Sequence, residues 1–283
     1  MEARLKGLLA AHDGVPPRLA AAMAHGTLSG GKRLRPFLLI ESARLFHTPA
    51  EAALNAAAAL ECVHCYSLIH DDLPAMDDDD VRRGRPTVHK AFDEATAILA
   101  GDSLLTLAFE IMLSEATHAD AGVRAALGLA LAKASGWAGM AGGQQLDLEA
   151  ETAERPLDAA QIRRLQAMKT GALITFACEA GAVLGQAGER ERAALRAFGD
   201  DLGRAFQLAD DLLDVEGDAA VMGKAAAKDA GAGKATLVSL MGVAKAREHL
   251  AELVARAQAA LEPFGERAAV LNEAAAFVAE RKS

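Results

Sequence analysis

The amino-acid sequence predicts an all-α protein that forms a single domain. Of its 283 residues, 52% are hydrophobic and 24% are charged, which is enough apolar surface to build a buried core. The apolar residues are mostly Ala and Leu, whereas Tyr and Trp occur once each, and unbranched side chains lose little rotamer freedom in a helix. Alternation typical of strands is almost absent. We find no repeat of fixed period and no stretch that is distinct enough to be a domain linker, so residues 1–283 are predicted to form one domain.

Apolar periodicity and capping signals place three long helices. Thr48 and Glu51 have capping-box spacing around Pro49, a residue favoured at the first helical position, and we expect a helix from there to about residue 72. A second helix should begin at Asp158, with Gln161 as its capping partner, and continue toward residue 180. Large apolar residues at helical spacing predict a third over residues 191–215. Gly and Pro predict breaks over residues 26–31, 74–86, 136–143 and 217–233.

Composition excludes several classes of function. The formal charge of −9 and the pI near 5.4 argue against a basic face that could bind nucleic acid. Three cysteines cannot form a disulfide framework, and the CxxC pair Cys62 and Cys65 lacks the second pair that a zinc site needs; we expect both on a helix as small apolar residues. The N-terminus lacks the apolar region of a signal peptide, and no apolar run reaches membrane-spanning length. A cytoplasmic protein without a membrane span is expected.

The most informative segment is the acidic run at residues 71–80, which holds six aspartates in ten positions. These carboxylates repel one another unless water or cations neutralise them. A charge run is usually a solvated loop, but this one directly continues an apolar helix. There it offers a dense set of oxygen ligands for a hard cation such as Mg²⁺.

A second acidic cluster strengthens that hypothesis. Asp210 and Asp214 are four residues apart and share one helical face with Gln207, and Asp211 lies between them. Each cluster alone is weak evidence. Two Asp-rich clusters on separate apolar helices indicate opposed walls of one metal-filled cavity.

Cationic residues that could bind phosphate accompany both clusters. They are Lys32 and Arg35 in the segment GGKRLRP, Arg82 and Arg83 after the first cluster, Lys169 in an apolar helix, and Lys224 and Lys234, each after a glycine. Arg offers forked donors for phosphate oxygens and Lys offers a mobile point charge. We interpret Arg33, Arg85 and Lys228 as solvated surface cations. His64 lies seven residues before Asp71 on the same helix face, so it is a candidate hydrogen-bond donor to a phosphate group.

These motifs resemble those of the trans-isoprenyl diphosphate synthases, the bacterial farnesyl diphosphate synthases in particular. The resemblance extends from Gly30 to about Leu237. It rests on the segments GGKRLRP, LIHDDLPAMDDDDVRRGRPT, GMAGGQQLDL and FQLADDLLD, the Lys169-Thr170 pair and two Gly-Lys pairs. It implies a bundle of long helices around a deep central cavity, and a homodimer.

The resemblance also assigns roles to single residues. Asp71, Asp77 and Asp210 would ligate three Mg²⁺ ions, supported by Asp72, Asp211 and Asp214. Arg82, Lys169, Lys224 and Lys234 would hold the allylic diphosphate (dimethylallyl or geranyl), whereas Lys32, Arg35, His64 and Arg83 would bind isopentenyl diphosphate. Thr170 and Gln207 would face the reacting carbons. Tyr66, followed by Ser67, would limit the product chain. Leu237, where an aromatic residue is common in the family, and the Ala/Gly-rich segment 217–233 depart from the pattern.

Four alternatives to a farnesyl diphosphate synthase follow from these motifs. A synthase making geranylgeranyl or geranyl diphosphate would share all of them. A terpene cyclase would not use GGKRLRP, since it binds no second diphosphate, and a non-catalytic subunit should lack one Asp cluster. A metal phosphohydrolase would release phosphate without an alkene acceptor. The Gly-Lys pairs do not match a P-loop, because the first glycine and the following Ser or Thr are missing.

Overall fold

The computed structural model describes residues 1–10, 14–222 and 236–280, with residues 216–222 described by their backbone alone. It is helical, apart from one hairpin of two-residue strands, which confirms the all-α prediction. The chain divides into two compact units. The first comprises Met1–Ala130 with Val183–Gln186, and the second comprises Leu131–Ala182 with the chain from Ala187 onward. A single domain stays a prediction.

The first unit contains the helix that ends at the first Asp cluster. Its elements are α1 (Glu2–Leu8), α2 (Pro17–Thr27), α3 (Leu34–Arg44), α4 (Ala50–Asp71), the antiparallel strands β1 (Val81–Arg82) and β2 (Arg85–Pro86), α5 (Val88–Ala91) and α6 (Glu94–Leu113). Helices α2, α3 and α6 pack around α4. The next helix, α7 (Ala121–Ser135), belongs in part to each unit.

The second unit contains the remaining helices, including the one that carries the second Asp cluster. They are α8 (Met140–Glu151), α9 (Ala159–Gln166), α10 (Ala172–Leu184), α11 (Glu189–Met222), α12 (Leu237–Met241), α13 (Val243–Ala260) and α14 (Ala269–Glu280). A π-helical turn (Ala167–Gly171) joins α9 to α10, and a 3₁₀ segment (Glu262–Ala268) precedes α14. Helix α11 packs against α13 and against the π-helical turn.

Helix α4 forms where the sequence predicts it, because its centre is a run of small apolar residues. Residues 56–59 are fully buried alanines, followed by the fully buried Leu60, and small side chains allow close approach of neighbouring helices. At Gly101 of α6, an added Cβ would lie 2.1 Å from the His70 imidazole, so a larger residue would require the His70 side chain to move. The capping box predicted at the start of α4 is wrong. Pro49 is the N-cap, and the Thr48 hydroxyl is buried without a hydrogen-bond partner in the described part of the chain.

The other two predicted helices are also confirmed. Asp158 caps α9, accepting hydrogen bonds from the backbone N–H groups of Ala160 and Gln161, and the Gln161 side chain accepts one from the Asp158 N–H in return. Helix α11 is longer than predicted. It extends to Met222 and so includes the first residues of a segment that the sequence marked as a break.

The expectation that no apolar run reaches membrane-spanning length is wrong. By length and hydropathy alone, Ala50–Asp71, Glu94–Leu113 and Ala159–Leu184 could each cross a membrane. Their most apolar windows are 78%, 44% and 61% buried within the protein, respectively. Because a core helix and a membrane span draw on the same residues, hydropathy does not separate the two. As expected, Cys62 and Cys65 lie on a helix, in α4, where both are buried. Cys178 is buried too, and all three cysteines are free.

Candidate active site

The first Asp cluster lies where α4 ends and the chain turns back on itself. The Asp77 N–H donates to the Asp71 carbonyl at 2.8 Å, which returns the acidic loop to the helix end. Asp77 is exposed, whereas Asp72 is only 3% exposed and accepts a hydrogen bond from Arg82 Nε at 2.6 Å. Burial raises the pKa of Asp72, and the bond from Arg82 opposes that rise. Arg82 thus holds the buried carboxylate of the pair.

A second set of cations in the first unit surrounds His64. Burial lowers the pKa of this half-buried imidazole well below its ordinary value, and the positive charges of Arg35, Arg83, Arg33 and Arg82 lower it further. His64 is therefore neutral at pH 7 and can donate an N–H without adding charge. The structure brings together three of the residues predicted to bind isopentenyl diphosphate, the acceptor substrate: Arg35, His64 and Arg83. The fourth, the exposed Lys32, is on the same loop as Arg35.

The glycines of GGKRLRP allow Arg83 to approach the loop. Arg83 Nη1 donates to the Gly30 carbonyl, and a Cβ on Gly31 would lie 2.6 Å from the Arg83 guanidinium. The interpretation of Arg33 as a solvated cation is wrong. Its side chain is 11% exposed and pairs with Glu61, a residue that the sequence analysis did not single out. The exposed position of Arg85 is confirmed.

In the second unit, the π-helical turn presents Lys169 and Thr170. Lys169 Nζ donates to Asp147 Oδ2 at 2.6 Å, and the Thr170 hydroxyl donates to Gln207 Oε1 at 3.1 Å. Helix α8 reaches the turn because Gly143 lacks a side chain, since an added Cβ would lie 2.1 Å from the Lys169 backbone nitrogen. A π-helical turn adds one residue to a helix and redirects the side chains around it, often at functional sites.

The second Asp cluster is anchored by amides. Asp211 is 7% exposed, and it accepts hydrogen bonds from Gln166 Nε2 at 2.9 Å and from Gln207 Nε2 at 3.2 Å. Burial raises the pKa of Asp211, and the nearby charges of Asp214 and Asp210 add to that rise. Gln207 therefore links Thr170 to the buried aspartate.

These residues surround a cleft of about 740 Å³ within the second unit. Its lining includes Lys169, Thr170, Gln207, Asp211 and Asp214, all of which were site candidates from sequence. They come from two segments almost 40 residues apart, which α9, the π-helical turn and α11 bring together. Asp147 and Gln166 also line the cleft and were missed. Both could have been singled out from the sequence, because Asp147 belongs to the motif GMAGGQQLDL and Gln166 lies three residues before the Lys169-Thr170 pair.

The donor set fits magnesium. Within residues 1–10, 14–222 and 236–280, no three His, Cys, Asp or Glu side chains are close enough to hold a metal by themselves. Magnesium, however, is usually bound by one or two carboxylates together with substrate phosphates and water. Oxygen donors at two clusters agree with that mode. The predicted ligands Asp71, Asp77 and Asp210 remain a prediction, and Lys224, Lys228 and Lys234 lie outside the described residues.

Tyr66 lies on α4, five residues before Asp71. Its ring is half-buried and meets the His70 imidazole edge to face, with the centroids 5.8 Å apart. Burial raises the pKa of Tyr66. The neighbouring Ser67 hydroxyl donates to the His64 carbonyl of its own helix at 2.9 Å. Of the two candidates for limiting product length, Tyr66 is the larger side chain.

Comparison with known sequences gives one family and many relatives. The sequence profile described as "Polyprenyl synthetase" matches residues 16–269. A farnesyl diphosphate synthase of Escherichia coli K12 is 48% identical over 87% of this chain and 82% of its own length. A chloroplastic geranylgeranyl pyrophosphate synthase of Capsicum annuum is 39% identical over 94% of this chain and 72% of its own length.

Solved structures agree with that comparison. A structure described as an FPP/GFPP synthase from Zymomonas mobilis superposes with a TM-score of 0.90 at 46% identity, covering 98% of this chain and 94% of that one. A geranyltransferase from Legionella pneumophila gives a TM-score of 0.87 at 38% identity, covering 99% and 93%.

Proposed function

Because this chain belongs to the polyprenyl synthetase family, we propose that it condenses isopentenyl diphosphate with dimethylallyl or geranyl diphosphate, making farnesyl diphosphate and releasing diphosphate. It is a prenyltransferase, and farnesyl diphosphate synthases are prominent among its relatives. The observation that carries the proposal is the convergence of Lys169, Thr170, Gln207 and two aspartates on one cleft.

The chemistry begins at the allylic diphosphate. Breaking its C–O bond places negative charge on the departing diphosphate and positive charge on carbon. Cationic groups that are already oriented toward the oxygens stabilise this charge separation. We assign that role to Arg82 and Lys169, and to Lys224 and Lys234 from the sequence. The linked side-chain dipoles of Thr170 and Gln207 would face the reacting carbons.

Magnesium completes the leaving-group site. We propose Asp71, Asp77 and Asp210 as its ligands, with Asp72, Asp211 and Asp214 supporting them, and three ions in the full complex. The bound ions supply charge stabilisation of the diphosphate oxygens. Asp72 and Asp211 would support the ligands through buried hydrogen bonds, from Arg82 to Asp72 at the C-terminal end of α4 and from Gln166 of α9 to Asp211 of α11.

The second substrate supplies the nucleophile. Lys32, Arg35, His64 and Arg83 would hold the diphosphate of isopentenyl diphosphate, and its alkene would attack the allylic carbon. A proton then leaves the new chain, and the released diphosphate is its acceptor. This reaction needs no nucleophile from the protein.

Product length is the finer part of the proposal. The relatives include enzymes described as making farnesyl and geranylgeranyl chains, so a geranylgeranyl product is the second candidate. Incubating the protein and Mg²⁺ with isopentenyl diphosphate and each allylic starter, followed by chromatography of the products, tests both. A main product of fifteen carbons supports the proposal, and one of twenty or ten carbons contradicts it. Phosphate release without condensation would contradict prenyl transfer itself.

We further propose that the protein is a cytoplasmic homodimer. Helix α6 exposes Ile98, Leu99 and Leu113, by 44%, 55% and 48%, and burying these side chains against a second copy of the chain would stabilise a dimer. Light scattering of wild type and of Leu99→Lys tests this assembly. Wild type should be a dimer and the variant largely a monomer; a monomeric wild type would contradict the proposal.

A further inference from the structure

The side chain of Arg33 anchors the loop between α2 and α3 to three neighbouring helices. Arg33 Nη1 donates to Glu61 Oε1 on α4, Nη2 donates to the Thr27 carbonyl at 2.7 Å, and Nε donates to Glu2 Oε1 at 2.7 Å. The guanidinium therefore connects the loop to α1, to the end of α2 and to α4. A solvated lysine or arginine would make none of these contacts.

Glu61 is an unusual residue for its position. It lies in the apolar centre of α4, its side chain is 2% exposed, and its neighbours Leu60 and Cys62 are fully buried. Its Oε2 atom has no hydrogen-bond partner among the described residues. Well-packed apolar residues often stabilise a fold as well as a buried ion pair does, or better. Stability alone therefore gives little reason for this pair.

The backbone at Arg33 gives a second reason to look for a positioning role. Arg33 has a φ of 49°, in the left-handed region that is strained for residues other than glycine. Such strain persists when surrounding contacts over-determine the conformation, and it clusters at functional sites. Arg33 is also the N-cap of α3. Its conformation thus sets the direction of Lys32 before it and of Arg35 in the first turn after it.

The loop is held at two points. Arg83 bonds the Gly30 carbonyl at its start, and the Arg33–Glu61 pair holds its end. Arg83 carries a net positive charge toward a bound anion, whereas the pair of Arg33 and Glu61 is neutral as a unit. Any effect of that pair on substrate binding must therefore come chiefly from geometry.

We propose that Arg33 and Glu61 are positioning residues that hold the segment 30–36 in the conformation in which Lys32 and Arg35 bind the acceptor diphosphate. The inference rests on the proposed function, because it assigns the acceptor to this loop. Neither residue touches substrate. The clamp they form affects the acceptor and leaves the allylic substrate, held elsewhere, almost unaffected.

The decisive variant removes both charges together, as Arg33→Met with Glu61→Met. The net charge is unchanged and no buried charge is left alone, so folding should be retained. We expect the KM for isopentenyl diphosphate to rise about tenfold or more, a difference of about 1.4 kcal/mol, while the KM for geranyl diphosphate stays within about twofold. Arg33→Lys keeps the positive charge but loses the forked geometry, and should give a smaller rise in the same KM.

A matched control tests whether any lost ion pair has this effect. Arg256 bonds both carboxylate oxygens of the buried Asp201, joining α13 to α11 in the second unit. Arg256→Met with Asp201→Met therefore removes another ion pair with a largely buried carboxylate, in which the arginine is more exposed than Arg33 (55% against 11%). This pair makes no contact with Arg33, Glu61 or Arg83. We expect it to leave the KM for isopentenyl diphosphate unchanged. If the Met pair at 33 and 61 does not fold, Arg33→Lys and Glu61→Gln carry the same comparison.

Amide hydrogen exchange separates the clamp from the proposed reaction. Exchange over residues 30–36 should be faster in the Met pair than in wild type, with the rest of the first unit unchanged. If wild type condenses the substrates but the variant changes neither exchange nor the acceptor KM, or raises both KM values equally, the clamp is wrong and the function stands. If wild type catalyses no condensation while exchange in the variant rises, the function fails and the assignment of the loop to isopentenyl diphosphate fails with it, whereas the hold of Arg33 and Glu61 on the loop's conformation stands.

Discussion

The two Asp-rich clusters bury the second member of an Asp-Asp pair, but they hold it in different ways. In the first unit, Asp72 accepts a hydrogen bond from the guanidinium of Arg82. In the second unit, Asp211 accepts hydrogen bonds from the neutral amides of Gln166 and Gln207. Both carboxylates are less than a tenth exposed. The buried aspartate of the first cluster therefore has a positively charged partner, whereas the hydrogen-bond donors to Asp211 in the second cluster are neutral amides.

This difference gives the two buried aspartates different electrostatic surroundings. An amide satisfies a buried carboxylate without neutralising it, so the two hydrogen-bond partners of Asp211 leave its negative charge in place. Repulsion from Asp214 and Asp210 contributes to the raised pKa of Asp211. At the first cluster, Arg82 offsets part of the acidic charge and is also proposed to meet the diphosphate. We infer that Asp211 depends more strongly on added cations than Asp72 does.

Loss of a proposed metal ligand should have the largest effect. Asp71→Asn and Asp210→Asn keep the side-chain shape but remove the negative charge, and we expect each to lower kcat by about 100-fold or more, as for loss of a main electrostatic group. Removal of Mg²⁺ by EDTA should abolish turnover of wild type. Steady-state product formation measures both.

Asp80→Asn is the control for that experiment, since Asp80 belongs to the same acidic run but pairs with the exposed Lys90. It should retain kcat within about threefold, because surface ion pairs contribute little. Equal losses at Asp71 and Asp80 would show that the run acts only through its total charge. Full activity in EDTA would contradict the metal hypothesis at both clusters.

The next largest effect distinguishes the two anchors by stability. Arg82→Met leaves Asp72 buried without its counter-charge, and the free energy of unfolding should fall by about 3 kcal/mol, the lower figure for breaking a buried pair, since Arg82 is 31% exposed. Gln166→Met removes one of two neutral donors to Asp211, and should cost about 1–2 kcal/mol. Urea unfolding measures both. Adding Asp72→Asn to Arg82→Met should restore part of the loss, and the comparison fails if the two single variants cost the same.

Much of this arrangement could be predicted from sequence because its signals are local. The extent of α4 follows from an apolar run that ends at Pro74, and the cap of α9 follows from residues three apart. The π-helical turn at Lys169 could not be predicted, because one extra residue in an apolar helix leaves the composition unchanged. The capping box predicted at Thr48 does not form because Pro49, and not Thr48, is the N-cap, so that α4 begins one residue later, at Ala50.

The role of Arg33 was missed for a different reason. Its partners Glu61 and Glu2 are 28 and 31 residues away in sequence, and tertiary pairing leaves no periodic signal. One clue was available. Glu61 interrupts an apolar helix between Leu60 and Cys62, and a buried carboxylate is almost always paired. An isolated charge within an apolar run therefore predicts that a partner exists, although not which residue it is.

The two units should also differ in their effect on product length. Tyr66 precedes Asp71 by five residues on α4, about 7.5 Å along the helix, while Phe206 precedes Asp210 by four residues on α11. If the growing chain runs along α4, Tyr66→Ala should shift the product from fifteen carbons to twenty or more. Tyr66→Phe and Phe206→Ala should both leave it unchanged. Chromatography of the products decides the matter, and an unchanged product in Tyr66→Ala would exclude Tyr66 as the limit.

The smallest effect concerns His64. It tests whether the arginines of the first unit, and not a charged imidazole, supply the positive charge that binds isopentenyl diphosphate. Because burial and four arginines lower its pKa below the ordinary 6.5, the unfolded chain binds more protons than the folded protein between those two pKa values. Stability is therefore retained above about pH 6.5 and falls as the pH drops toward the lowered pKa.

His64→Gln keeps a neutral N–H donor, so the KM for isopentenyl diphosphate at neutral pH should change by about threefold at most. The stability of this variant should fall less than that of wild type on acidification. His64→Leu lacks the donor, and should raise that KM about tenfold, the equivalent of one hydrogen bond. Unfolding at several pH values and steady-state kinetics measure these outcomes. A large rise of the KM in His64→Gln would mean that the imidazolium binds the acceptor, contrary to a site in which arginines supply the charge.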